Sequence, residues 1–525
     1  MYKVLSFQSE ARAKLLKGVK LLADAVTITL GPKGRNVAIT RQWGMPIVVH
    51  DGVTVAREVE SQDPLEAVGI NLVREAAQKT NEEAGDGTTT ATLLAYEIIR
   101  RGMDLIEKGT NPMVLRDEIY EALPVILAEL KRLSVPSKGK EDIVRVATIS
   151  SADEKIGKFV AEAMEKVGEN GLVTVNEGGV ETEIDYTEGM EFNRGYLSPY
   201  FITNPQRMEA VVTDPVIVLL AKKVSLNTEI VPILEEAAKV SKDIVIIAED
   251  LKGDALATLA ANKMKGNINA LAVLAPSGGQ DQLDYFEDIA VLVGGKVLSD
   301  SAAIDIKADS KWLGRAEKVV SDKESTVIIS GGGDKKELAG RITALKEQKK
   351  TATEFVKEKL EERLAHLSKG VAVIRVGAKT EVDMRERIER VKDAVGAATA
   401  AREEGVVPGG GSVFIQMSLV LKDKTQGEKL LHEILEMPAR KLIANSGENE
   451  DVINSIIGDI ILTPGALGYE VQSGEFKDLV KAGIIDPAKV VRLALENAIS
   501  VATSILTTEC LIGIQIEESD KKGRE

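Results

Sequence analysis

Aromatic side chains make up only 3% of the 525 residues, so the interior must be built from Ala, Val, Ile, Leu and Gly. A single cysteine, Cys510, excludes an intrachain disulfide, a CxxC redox pair and a Cys/His zinc spacing. It lies in the apolar run "LTTECLIGIQI" and is expected to be a buried thiol. No apolar run approaches the roughly 18 residues that cross a bilayer. The opening "MYKVLSFQSEARAKLL" lacks a signal-peptide core and carries acids early, so neither secretion nor import is expected. An excess of basic charge is also missing. Lys and Arg number 67 against 82 Asp and Glu, a net −15 that argues against nucleic acid as the main partner. The expectation is a soluble, cytoplasmic chain with neither a membrane nor a nucleic acid as partner. Finally, no Walker A pattern and no Gly-x-Gly-x-x-Gly dinucleotide fingerprint is present.

What the chain does have is length and periodicity. Single cores stop growing near roughly 250–300 residues, so several domains are expected. Residues 7–30 carry Leu15, Leu16, Val19, Leu22, Ala23 and Val26 at helical spacing, halted by Gly31-Pro32. Short strands at 36–40 and 46–49 precede "DGVTVAREVE", where Asp51 reads as a helix N-cap. Further helices follow at 65–84, from the threonine run onward, and from Thr110-Asn111-Pro112 to about Leu133. The texture changes at "SVPSKGKED" (134–142). Strands at 171–177, 180–187, 216–221, 243–248 and 268–275 then alternate with helices at 228–241 and 253–265, a pattern for a parallel sheet covered on both faces. A charged helical stretch (336–368) and a strand (371–376) lead into helices from 381 onward. The order is helical, then α/β, then helical, which suits two helical ends in one domain with the middle inserted.

Four short stretches pair glycine with a helix end: "TLGPKG" (29–34), "HDGVTV" (50–55), "GDGTTTAT" (85–92) and "VPGGGS" (407–412). Glycine permits φ > 0 and close approach of backbone to a ligand, and a helix N-terminus offers free N–H groups to an anion. At 85–92 both occur together, with Asp86 as a hard oxygen ligand suited to Mg²⁺ and Thr88, Thr89 and Thr90 as hydroxyl donors. For any one loop alone, a capped interhelix turn is the commoner explanation, and a phosphate site the other.

Taken in order, "TLGPKGRNV", "DGVTVA", "AGDGTTTAT", "GYLSPYF", "IIAEDLKGDALATL", "EEGVVPGGG" and "AGIIDPAKV" resemble the group I chaperonins, the bacterial Hsp60 family, from about residue 3 to 512. The resemblance implies a multidomain α and α/β fold. A mainly helical equatorial ATP-binding domain would span 1–133 and 404–525, a small α/β intermediate domain 134–187 and 372–403, and an inserted α/β apical domain 188–371. Pro136 with Gly405, and Gly189 with Gly370, match the family's hinges. It implies ATP, Mg²⁺ and K⁺ as cofactors, seven-membered homo-oligomeric rings stacked in pairs, a lid co-chaperonin and non-native polypeptides as partners. Asp86 and Gly87 with Thr88–Thr90 would hold Mg²⁺ and the β- and γ-phosphates, and Thr29, Leu30, Gly31 and Pro32 would line the α-phosphate and base side. Gly410 and Asp486 would contact the nucleoside, and Asp51 and Asp393 the attacking water. Phosphoryl transfer depends on positioning and charge neutralisation more than on a strong base, so Asp393 is assigned to orienting the water. Non-native chains would meet exposed apolar residues at Tyr196, Tyr200, Phe201, Val231, Leu234, Leu256, Ala260 and Ala261. Read alone, 228–241 and 253–265 are ordinary amphipathic helices, and Asp393 sits on an ordinary solvated helix face.

The sequence departs from the family in places. His50 stands where a lysine is usual; a histidine is mostly neutral at pH 7, so weakened or pH-dependent nucleotide affinity is expected. Glu470, Val471 and Gln472 replace Asn-Ala-Ala beside the base, and "SGGQDQ" (277–282) replaces a segment with one aromatic and two arginines. Ala260 and Ala261 are smaller than the usual valines, and the end "EESDKKGRE" has no Gly-Gly-Met tail. These departures motivate a second reading, a chaperonin-like holdase or scaffold with weak ATP turnover. A conventional ATP-using metabolic enzyme finds no support, because His50, His366 and His432 are scattered and no second catalytic cluster appears.

Overall fold

A computed structural model describes residues 2–40, 46–137, 139–168, 171–205, 207–276, 280–299, 310–351, 354–368, 370–463, 465 and 467–515. The chain forms two compact units, one from residues 1–162 with 378–525, the other from 163–377. The first is mainly helical. The helices Gln8–Thr27, Pro64–Ala84, Thr88–Glu107 and Ala488–Leu506 pack against one another. Their shared core includes Leu15, Leu22, Leu94, Ile98, Leu495 and Ile499, all fully buried. Each such side chain contributes about 1.5–3 kcal/mol on burial. Two glycines let backbones cross closely: a Cβ on Gly18 would fall 2.0 Å from the Glu66 carbonyl oxygen, and one on Gly69 2.5 Å from that of Leu15. The two sequence ends meet here. Tyr2–Phe7 pairs antiparallel with Cys510–Gln515, and Asn497 Nδ2 donates to Thr80 Oγ1 at 3.0 Å inside the core.

The terminal strand corrects the reading of Cys510, which is exposed. Leu511 points inward at 4% exposure, while Ile512 and Ile514 stand out at 58% and 59%. An apolar run reads alike in either parity. The two-residue alternation decides which set is buried, and it puts Cys510 outside.

Residues 163–377 build a ten-stranded sheet flanked by helices, with strand order Leu172–Glu177, Gly370–Val376, Glu183–Phe192, Thr326–Gly331, Gly314–Ser321, Val216–Val224, Asp243–Leu251, Asn269–Leu274 along its main path. The expected parallel arrangement holds only towards its ends. Val216–Val224, Asp243–Leu251 and Asn269–Leu274 are parallel because the helices Asn227–Ala238 and Gly253–Met264 form the crossovers between them. Between the two ends lies an antiparallel hairpin, Gly314–Ser321 with Thr326–Gly331, whose turn is fixed by Asp322 accepting from the N–H groups of Glu324 and Ser325, both at 2.6 Å. The helices Lys140–Ser151, Glu154–Val167 and Gln280–Val293 also escaped the sequence reading. The segment 277–282 lies partly, and the tail from 516 wholly, outside the described residues.

The helix Lys140–Ser151 ends on Ala152 in the left-handed conformation, φ 53°. That region costs an L-residue about 1–2 kcal/mol. Ala152→Gly is therefore expected to raise stability by about 0.5–1 kcal/mol, after the added unfolded-state entropy of glycine is subtracted. Urea unfolding checks this; an unchanged or lowered midpoint contradicts it.

Candidate active site

The stretch 85–92 is a helix-to-helix turn. Gly85 and Gly87 take φ values of 71° and 90°, which only glycine adopts freely. Between them Asp86 turns inward, and its Oδ1 accepts from the Gly87 N–H at 2.6 Å. The helix Thr88–Glu107 then begins with no side-chain cap, so its first N–H groups are left for another partner. Thr88 is buried, and its hydroxyl has no hydrogen-bond partner. An uncapped helix start beside an orphaned buried hydroxyl suits an anion with several oxygens.

Other elements converge on this turn. A Cβ on Gly52 would fall 2.2 Å from Thr89 Oγ1, so the start of the helix Gly52–Glu58 abuts the threonines. Asp51 caps that helix. Its Oδ1 accepts from Val53 N at 3.1 Å, and its Oδ2 from Thr54 N at 2.7 Å and Thr54 Oγ1 at 2.8 Å. On the short strand Ile485–Pro487, Asp486 pairs with Val407, and a Cβ on Gly409 would come within 3.2 Å of Asp486 Oδ1. Gly410, φ 63°, follows, and the hairpin Leu467–Glu470 with Glu475–Asp478 lies alongside, the Tyr469 carbonyl 3.7 Å from a Cβ on Gly410. Asp393 is half-buried on the helix Glu381–Glu404. One turn further along that helix, a Cβ on Gly396 would lie 2.6 Å from the Gly85 Cα, so Asp393 and the Gly85–Gly87 turn share one helix face.

The carboxylates feel one another. Burial pushes the Asp86 carboxyl up, and the charge of Asp51 adds to this; the Gly87 N–H and the nearby Ser150 hydroxyl oppose it. Asp486 is pushed up to about 7 by burial and by Asp86. The native chain thus holds a proton on Asp486 that the unfolded chain has released between about pH 4 and 7, so this group's contribution makes stability fall as pH rises through that window. Asp486→Asn is expected to stabilise the nucleotide-free protein more at pH 7.5 than at pH 5.5, by at most about 2 kcal/mol. Urea titrations at the two pH values read the difference, and an equal effect at both contradicts it. A bound cation would relieve the same repulsion. Among the described residues no group of three or more His, Cys, Asp or Glu side chains is placed to hold a metal. A divalent ion here would need oxygens from the ligand and from water besides Asp86.

The remaining residues expected at the site are held by other contacts. Thr29 is buried, its hydroxyl bonded to the Val26 carbonyl at 2.8 Å. Asn445 Nδ2 donates to the carbonyls of Thr27 and Leu30, both at 3.0 Å, and a Cβ on Gly31 would strike Leu442, so the Thr29–Pro32 loop is pinned to the helix Met437–Asn445. Glu470 is ion-paired to Lys477 and accepts from Ser473 Oγ at 2.7 Å, which holds its carboxyl below the usual range. Val471 packs on a cluster with Ile443 and Ile457, while Gln472 and His50 are exposed. Sequence reading missed Ser150 and Gly396, while Gly409 lay within the highlighted stretch 407–412. Gly396 carried only a weak signal: an isolated glycine inside a helical pattern costs about 1 kcal/mol against alanine, which invites a packing reason.

The apolar residues expected to meet non-native chains lie in the other unit, and the structure corrects three of them. Phe201, Leu234 and Ala260 are 0%, 7% and 6% exposed and belong to the core. They occupy the inward face of elements whose outer faces the sequence pattern did not separate. Tyr200 is 62% exposed, and Tyr196, Val231, Leu256 and Ala261 are half-buried. The paired glycines and proline are neighbours in space. Val135 and Val406 exchange backbone hydrogen bonds at 3.0 and 2.8 Å, which sets Pro136 beside Gly405. Gly370 pairs with Glu188, so Gly189 and Gly370 lie on adjacent strands.

A helical unit that gathers carboxylates at an uncapped helix start, joined in one chain to a sheet-based α/β unit, is the architecture of a chaperonin subunit. The chain belongs to the TCP-1/cpn60 chaperonin family, whose profile matches residues 22–515. Its function is accordingly a chaperonin's. It is similar in fold to the chaperonin gp146 of bacteriophage EL (Pseudomonas aeruginosa), solved in the presence of ATP-BeFx in two crystal forms. In one the TM-score is 0.68 at 23% identity, covering 98% of this chain and 100% of that one. In the other it is 0.62 at 21% identity, covering 98% and 99%. Among the described residues no helix is long and apolar enough to cross a membrane.

Proposed function

We propose that this chain is the subunit of an ATP-driven folding chaperonin that takes up non-native polypeptides in a ring cavity. The observation that carries this reading is the uncapped helix start at Thr88, with its orphaned buried hydroxyl, beside Asp51, Asp86 and Asp486. The N–H groups of Thr88–Thr90 and the Thr88 hydroxyl receive phosphate oxygens, and Asp86 serves as the protein's ligand to Mg²⁺. When bound, Mg²⁺ neutralises phosphate charge. Asp51 already accepts three hydrogen bonds from its own helix. It therefore anchors that helix and leaves the orientation of the attacking water mainly to Asp393. Gly410 and Asp486 meet the nucleoside, and the Thr29–Pro32 loop and the Glu470–Gln472 turn flank it. K⁺ is a second cation of the reading. That gp146 was crystallised with an ATP analogue supports nucleotide binding here.

The same reading divides the chain into equatorial (1–133, 404–525), intermediate (134–187, 372–403) and apical (188–371) domains, hinged at Pro136 with Gly405 and at Gly189 with Gly370. The rings are seven-membered and paired, work with a lid co-chaperonin, and act in the cytoplasm. Exposed Tyr200 with half-buried Tyr196, Val231, Leu256 and Ala261 forms the polypeptide-binding face. The test is release of a pre-bound, chemically denatured polypeptide. Release on adding Mg²⁺ and ATP supports the folding machine. Retention of the polypeptide while ATP is bound favours the holdase, to which exposed His50 and the Lys477-bound Glu470 would contribute.

A further inference from the structure

The helix Gly253–Met264 ends with an amine in an unusual setting. Lys263 Nζ donates to two backbone carbonyls, that of Phe201 at 2.7 Å and that of Ala270 at 3.1 Å. Neither acceptor is a carboxylate, and burial pushes this ammonium down to about 8 despite the charge of Asp243. Burying a lysine to this degree has a cost, so the two carbonyls it serves need explaining.

Both carbonyls lie where backbone pairing runs out. Asn269–Leu274 is the last strand of the sheet, and its free edge must be satisfied. Leu197 N donates to the Ala272 carbonyl on that edge at 2.9 Å, and Tyr196 bridges to Val273. Two residues along, on the same side of the strand, the chain has already left to form the turn Pro199–Phe201, and among the described residues no loop N–H donates to the Ala270 carbonyl. Lys263 supplies one. Its other bond holds the last carbonyl of the turn. A single amine therefore fastens the Pro199–Phe201 turn to both the strand edge and the helix. Within itself the turn is closed by Phe201 N donating to the Ser198 carbonyl at 3.0 Å, Ile202 N to the Pro199 carbonyl at 3.1 Å and Tyr200 N to Ser198 Oγ at 3.4 Å, and Phe201 sits in the core; Lys263 is what joins this closed turn to the helix. Tyr200 projects from this turn into solvent.

We propose that Lys263 is a positioning residue for polypeptide binding, fixing the exposed Tyr200 at a set spacing from the helix Gly253–Met264. The proposal rests on the reading that this face takes non-native chains. A rigid aromatic anchor loses little entropy on binding, whereas an untethered turn must be ordered each time a client docks. The rest of that face is mixed: Leu226 and Met264 are 55% and 63% exposed, Val231 and Leu256 are half-buried, and Asn227 and Thr258 bond to each other at 2.6 Å across the two helices. Tyr200 is the well-exposed aromatic anchor among them, so what holds it contributes to affinity.

The experiment uses the assembled full-length protein and a reduced, carboxymethylated polypeptide that cannot refold, and compares the Kd for wild type, Tyr200→Ala, Lys263→Met, Lys263→Arg and the double variant Lys263→Met/Tyr200→Ala. Lys263→Met is expected to weaken binding about as much as Tyr200→Ala, roughly tenfold. The double variant is expected to be no weaker than Tyr200→Ala alone, and Lys263→Arg, which keeps the donors, to restore most of the affinity. ATP turnover without polypeptide should stay within about twofold in Lys263→Met and Lys263→Arg. Wild-type affinity in Lys263→Met, or losses that multiply in the double variant, overturn the proposal. If Lys263→Met fails to assemble, Lys263→Gln replaces it: one bond shorter, it should lose affinity similarly, and undiminished binding overturns the proposal. If wild type binds no denatured polypeptide, or Tyr200→Ala binds as wild type does, the reading of this face itself fails and the proposal falls with it.

Discussion

Asp393→Ala is expected to bind Mg²⁺ and ATP with near wild-type affinity and to turn ATP over on the order of 10²–10⁴ times more slowly. The two effects separate because the contacts come from different elements. The groups suited to phosphate are the uncapped helix start and Thr88, with Asp86 beside them. Asp393 stands on another helix, one turn from Gly396, which touches Gly85. On the proposed function it stands by the reacting end of the nucleotide and makes none of the contacts that would hold the phosphates. Asp51 is a poorer substitute, since Val53 N and the N–H and hydroxyl of Thr54 already use three of its roughly four acceptor sites. Asp393→Asn, which keeps an acceptor but no charge, should fall between wild type and Asp393→Ala. Steady-state hydrolysis with equilibrium nucleotide binding reads both quantities. Undiminished turnover in Asp393→Ala would mean that the water is held elsewhere.

The second large effect concerns the contact that sets this distance. Gly85 and Gly396 touch backbone to backbone: a Cβ on Gly85 would lie 2.5 Å from the Gly396 Cα, and one on Gly396 2.6 Å from the Gly85 Cα. In an exposed helix interior, Gly→Ala stabilises by roughly 0.8–1 kcal/mol. Here the sign should reverse. Gly396→Ala must push the Glu381–Glu404 helix away from the loop, at about 1–3 kcal/mol for overpacking. Gly85→Ala meets the same clash and must also hold φ at 71°, adding about 1–2 kcal/mol. The expected order of stability is wild type, Gly396→Ala, Gly85→Ala, and both variants should lose turnover as Asp393 is displaced. Urea midpoints and hydrolysis rates check the order. A Gly396→Ala variant more stable than wild type would show that the contact is loose.

Much of the fold was legible because it rests on local rules. Asp51 caps its helix by accepting from Val53 and Thr54, as its place before "GVTV" implied. The helix start in the threonine run and the stop at Gly85 followed from glycine's conformational freedom. What was hidden depended on partners distant in sequence. The antiparallel hairpin 314–331 sits inside a sheet that reads as parallel from its crossover helices alone. Cys510 and Phe201 were misjudged because an apolar segment does not reveal which of its faces is covered. The centre of the site was legible as residue types, while its electrostatics were not. That the charge of Asp86 is felt at Asp486 depends on contacts distant in sequence, such as a Cβ on Gly87 falling 2.9 Å from Val490 Cγ1, which no local pattern encodes.

The most direct measurement is the rate of ATP hydrolysis by the purified wild-type oligomer in K⁺ buffer, with and without Mg²⁺, while a bound, fluorescently labelled non-native polypeptide is followed in the same cuvette. The account predicts Mg²⁺-dependent turnover, with release of the polypeptide tracking hydrolysis. ATP that binds without being hydrolysed, leaving the polypeptide in place, would contradict it.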